Sequence, residues 1–213
     1  MPEPTRKGRA PRRKRAPRLD PAERRARLLA HALRVFGRRG LAGGRHAEIA
    51  RSARVSVPTV FVYFPTREAL VAAVLDEVER FYVEMVEATL RLDLPAPELL
   101  LALARAFTAS VDTEPERARL WLEWGAALRS KSWPRYGAFQ EHLVEHVARI
   151  VRRGVAEGTL PADVDPEADA RIIVAGGPAV VQMKLGGRPA EEVERFVMTL
   201  VRATIGRLAG SAN

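Results

Sequence analysis

The 213-residue chain has no cysteine, which excludes disulfide staples, thiolate nucleophiles and cysteine-ligated metals. It has no apolar run close to the ~20 residues that span a bilayer, and its charged N-terminus lacks the apolar segment of a secretory signal. A soluble, cytoplasmic protein that does not enter a membrane is therefore the expectation. No segment shows the strict apolar–polar alternation of a half-buried strand. A phosphate-binding loop is also missing, because Gly37-x-x-Gly40 and Gly43-Gly44 follow no strand. What remains is an all-α reading of about nine helices, in a chain long enough to bury a substantial core.

Acidic residues are scarce in one part only. Residues 1–67 hold 18 Lys and Arg against 4 Asp and Glu, while residues 68–213 hold 17 against 22, within a net charge of +9. A polyanionic partner is thus implied for the first third alone, with binding that weakens steeply as salt rises. Residues 1–20 are too polar and proline-rich to fold by themselves. They are expected to form a disordered basic arm in which Arg12, Arg13, Lys14, Arg15 and Arg18 follow a phosphate backbone or enter a narrow minor groove.

Behind that arm, Ala32, Leu33, Phe36 and Leu41 give a first helix one apolar side, with arginines on the other. His46–Ala53 forms a short helix with Ile49, Ala50 and Ala53 facing inward. Ser56 can cap a second short helix whose Pro58 falls in the first turn, where a missing amide costs little. Val60 and Phe64 then turn inward, which leaves Val57, Pro58, Thr59, Val62 and Tyr63 to face a groove or backbone. Thr66 starts the next helix, with Glu68 suited to its positive end. The order helix, short helix, turn, short helix, beside a run of arginines, fits a helix-turn-helix unit on duplex DNA.

Phe36, Gly40, Glu48-Ile49-Ala50, Val55-Ser56, Thr59-Val60, Tyr63-Phe64 and Arg67-Glu68-Ala69-Leu70 resemble the TetR-family DNA-binding signature. Within that family, His46–Ala50, Val55–Val57 and Tyr63–Glu68 are most similar to the quorum-sensing master regulators of the SmcR and HapR type. So are Trp121, Glu123, Trp124, Trp133-Pro134 and Asp165-Pro166-Glu167. The resemblance implies a homodimeric transcription regulator on a palindromic operator, not an enzyme, with no cofactor. It implies a basic arm at 1–20, a helix-turn-helix domain at 21–67, and a helical effector-binding and dimerisation domain at 68–213. Ser56, Val57, Pro58, Thr59, Val62, Tyr63 and Arg67 are the expected DNA-contacting residues, with Thr59, Tyr63 and Arg67 on phosphates. Val62 stands where that branch carries asparagine, so contact with a thymine methyl replaces a pair of hydrogen bonds to adenine.

The remaining helices are expected near 70–90, 98–111, 115–130, 133–157, 166–185 and 189–208. The apolar stripes of the last two can be core, or, as the resemblance implies, a four-helix bundle between two copies. Phe81, Tyr82, Met85, Phe107, Trp121, Trp124, Gln140 and Gly177 are candidates to line a cavity for a small apolar effector. Pro178, where the branch has unbroken helix, is expected to kink or interrupt that element.

Two rival readings carry specific residues. His142, Glu145 and His146 match the His-x-x-Glu-His pattern of a zinc peptidase group, although nothing supplies a third ligand and solvated helix histidines account for them better. An unspecific architectural DNA binder explains the arginines, but not a body so much larger than charge neutralisation requires.

Overall fold

The computed structural model describes residues 20–205. Among them it shows α1 (Pro21–Gly43), α2 (His46–Ala53), α3 (Val57–Tyr63), α4 (Arg67–Leu90), α5 (Ala96–Thr113), α6 (Pro115–Ala126), α7 (Trp133–Ala156), α8 (Pro166–Leu185) and α9 (Ala190–Ile205), with no strand. Arg12, Arg13, Lys14, Arg15 and Arg18 lie outside the described residues, as does the end of the last expected helix beyond Ile205.

Short polar side chains start four of these helices by accepting otherwise unpaired amides. Asp20 caps α1 through Ala22 N, Ser56 caps α3 through Thr59 N, Thr66 caps α4 through Ala69 N, and Asp165 caps α8 through the amides of Glu167 and Ala168. The exit of α1 is not regular helix. Gly40 adopts φ 75°, ψ 166°, a conformation closed to residues with a Cβ, and it re-aims Leu41–Gly43.

One apolar cluster runs without interruption from Leu28 in α1 to Val201 in α9. The expected boundary between residues 67 and 68 falls in the first turn of α4, so a single helix passes from head to body with no linker. Pro178 does not interrupt α8, which continues from Pro166 to Leu185. The ring removes one bond, to the carbonyl four residues earlier. Gly176, Gly177, Val180 and Val181 beside it are buried.

Candidate nucleic-acid interface

Helices α1 to α3 form the head. Val60 and Phe64 are fully buried, and the opposite side of α3 is open: Val62 is 76% exposed, Phe61 45% and Val57 37%. Pro58 and Ser56 are exposed beside them, while Thr59 and Tyr63 are half-buried. Ser56 Oγ lies 2.7 Å from Thr59 Oγ1, so the two hydroxyls pair at the start of the helix. Sequence reasoning missed Phe61. Its ring stacks on His46 at 4.1 Å, nearly coplanar, and His46 Nε2 donates to the Phe64 carbonyl at 2.8 Å. The aromatic pair thus fixes the exposed face of α3 against α2.

Exposed cations lie on α2 and at its two ends. Arg45, Arg51 and Arg54 are exposed, and among the described residues their side chains have no hydrogen bond or ion pair. None of the three stood out in the sequence, where arginine is frequent throughout. Arg54 ends α2 in the left-handed region, φ 55°, which produces the sharp turn into α3. Arg39 pairs with Glu48 at 2.8 Å and so ties α1 to α2. His31 Nδ1 lies 2.8 Å from Ser52 Oγ. Partial burial, then the charges of Arg34 and Arg27, hold the His31 imidazole below its ordinary value.

Arg67, expected on a phosphate, has one guanidinium nitrogen engaged inside the protein. Its Nη2 donates to the carbonyls of Leu41 and Ala42 at 2.5 and 3.1 Å, fastening α4 to the exit of α1. From the other side, the Leu41 amide donates to both oxygens of Glu123 in α6, each at 2.9 Å. The segment after Gly40 is therefore held by the body through α4 and α6.

In the body, Tyr82, Met85, Phe107, Trp121 and Gly177 come together in the wall of one cavity of about 80 Å³, joined by Leu103, Leu143 and Val197. No lining residue is charged. Gly177 is required there, since a Cβ would lie 2.4 Å from Trp121 Cη2. The Trp121 Nε1–H and the Tyr82 hydroxyl are buried with no hydrogen-bond partner among the described residues, and burial pushes the Tyr82 phenol well above its usual range.

Three other candidates lie outside that wall. Phe81 packs edge-on to Tyr82 and beneath the Arg117 guanidinium, 4.8 Å away. Trp124 is fully buried core, stacked on Phe139, with Nε1 donating to the Ser132 carbonyl at 3.1 Å. Gln140, one residue on from Phe139, keeps a buried amide nitrogen with no partner among the described residues, away from the cavity.

The histidine pair of α7 is divided by its helix. His142 is exposed, but His146 is buried rather than solvated, because it falls on the core side of α7. His146 Nδ1 donates to the His142 carbonyl at 2.8 Å, and Nε2 lies 3.5 Å from Glu87. Glu145 pairs with Arg152, which also holds Glu167. Among the described residues, no three His, Asp or Glu gather in a metal-binding arrangement.

Fold and exposed helix together define a helix-turn-helix head carried on a helical body. Residues 28–74 match the family of bacterial regulatory proteins described as the tetR family: the chain carries a TetR-family N-terminal domain. It is 42% identical over 117 residues to the HTH-type transcriptional regulator LuxR of Vibrio harveyi, covering 55% of this chain and 57% of that protein. The chain spans about half the length of the curated relatives it matches. A TetR-like regulator from Rhodococcus superposes with a TM-score of 0.70 at 23% identity, over 91% of this chain and all of that one. FadR of Bacillus subtilis, solved in complex with stearoyl-CoA, superposes with a TM-score of 0.69 at 16% identity, over 83% of this chain and 97% of that one. These two likenesses concern the fold.

Proposed function

We propose that this protein is a sequence-specific DNA-binding transcriptional regulator that acts as a homodimer on a palindromic operator and responds to a small effector. The observation that carries the reading is the exposed face of α3, in which Val57, Pro58, Phe61 and Val62 stand open, in a head that also exposes Arg45, Arg51 and Arg54. Apolar groups in the major groove distinguish thymine methyls, and the exposed guanidinium groups set the register on phosphates. Buried side chains on the other side of α3 keep the probe rigid. The arm would add phosphate or minor-groove contacts.

A second copy is needed because one head covers half of a two-fold operator. Ile172, Ala175, Ala179 and Gln182 follow the spacing of one helix face on α8 and are open to solvent to differing degrees, Ile172 at 41%. Together with α9 this face supports a four-helix contact between copies, over about 166–185 and 189–208. The uncharged cavity supports an apolar effector, whose differential affinity for two head spacings would provide the switch. Among the described residues no single helix is long and apolar enough to cross a membrane, in keeping with a cytoplasmic role. The resemblance of the recognition segment to quorum-sensing regulators favours a link to cell-density control.

Selection of duplexes from a random pool, followed by competition with unrelated DNA at physiological salt, tests the reading. The expected result is a palindromic consensus and a specificity ratio of about 10³ or more. Equal competition by unrelated duplex overturns it in favour of unspecific architectural binding.

A further inference from the structure

Resting on the effector reading above, we infer that the ligand is an anionic amphiphile, with an apolar tail in the cavity and an acidic head in a second, charged groove beside it. The groove has a volume of about 420 Å³ and lies between α5, the end of α8 and the start of α9. Thr108 and Val197 belong to both walls, so the apolar cavity and the charged groove adjoin across these two side chains. The cavity alone, at about 80 Å³, is smaller than the ~150 Å³ space that holds benzene. It has room for the end of a slender chain, and the bulk of a ligand must extend beyond it.

The groove determines what that bulk carries. It presents Arg105, Lys184 and Arg188 against Asp112 and Glu194. Lys184 Nζ is neutralised by Asp112 at 2.6 Å, and Arg188 stands 3.9 Å from Glu192. Arg105 has no hydrogen bond or ion pair among the described residues, which leaves a planar five-donor group free for a carboxylate or phosphate oxygen. A charge inside the uncharged cavity would be desolvated with no opposite charge to meet it, whereas in the groove it stays hydrated and can pair with Arg105. Glu194, likewise unpaired among the described residues, opposes an anion and therefore becomes a diagnostic position.

Calorimetry and release from the selected operator test this on the full chain, with sodium decanoate, 1-decanol and decyltrimethylammonium as probes. Decanoate is expected to bind and alter operator affinity, decanol to bind at least about tenfold more weakly, and the cation not to bind. Arg105→Gln should weaken decanoate about tenfold without changing decanol, and Glu194→Gln should tighten decanoate. Ala104→Leu, which fills the cavity, should abolish decanoate binding. Equal binding of decanol and decanoate, indifferent to Arg105→Gln, overturns the anionic head and leaves the effector reading intact. Decanoate binding that survives Ala104→Leu overturns the two-part site. If no probe binds or moves operator affinity, this inference is overturned; the effector reading fails separately only if Ala104→Leu also leaves every response to cell extract unchanged.

Discussion

Val62 projects from α3 with 76% of its surface free, although burying a valine against apolar groups is worth roughly 1.5–3 kcal/mol. Nothing inside the protein collects that energy, so it is available to a partner surface. Val62→Asn exchanges methyl contact for paired hydrogen bonds, and we expect the selected operator to change at one base pair per half-site, from a thymine-methyl preference toward adenine, by about 1–3 kcal/mol. An unchanged sequence profile would show that Val62 does not read bases. Arg67 also has a role inside the protein: its place in the signature suggests a phosphate, and its Nη2 is engaged by the carbonyls of Leu41 and Ala42. Local roles such as the caps of Ser56 and Thr66 are legible from neighbours in the chain, whereas the Arg67 contact joins positions 26 residues apart.

At the scale of elements, α4 and α6 are bound by Glu77 and Arg117, 2.9 Å apart, with Arg80 and Glu114 extending the network. Burial pushes the Glu77 carboxyl up, but hydrogen bonds from Arg80 and Arg117 outweigh it and hold the group below its usual range. A carboxylate depressed in the folded state contributes stability above its unfolded value, and that stability is lost as pH falls through the folded one. Glu77→Gln should therefore lower Tm at neutral pH by about 3–6 °C, from about 1–2 kcal/mol once solvent screening is allowed for. The gap from the parent should close as pH drops below the ordinary carboxylate range. Thermal melts at a series of pH values check this; a gap that widens on acidification contradicts it. The helices were legible from apolar spacing and caps. The continuity of α8 through Pro178 was not, because proline disfavours a helix interior and only tertiary context overrides that local preference.

For the whole molecule, the arrangement of two heads depends on the face of α8 and α9. Ile172→Glu places a charge on its most exposed large apolar residue without touching the head. Light scattering should then report a monomer, with operator affinity reduced at least about a hundredfold through loss of the second half-site. A variant that stays dimeric would move the interface elsewhere. The cavity belongs to this scale too. Its wall draws on α4, α5, α6, α7, α8 and α9, so aromatic spacing along single helices could not separate Tyr82 and Trp121, which line it, from Phe81 and Trp124, which do not.

Sequence alone determined the helical character of this chain, the order of the head, its caps and the concentration of positive charge in the first third, because each depends on residue type and short-range periodicity. Tertiary structure alone decided that Phe61 of α3 stacks on His46 of α2, that Glu123 accepts the Leu41 amide 82 residues away, and that an uncharged cavity adjoins a charged groove. Those features arise where distant segments pack, and the energy that brings them together is spread over the whole core rather than written in any one stretch of chain.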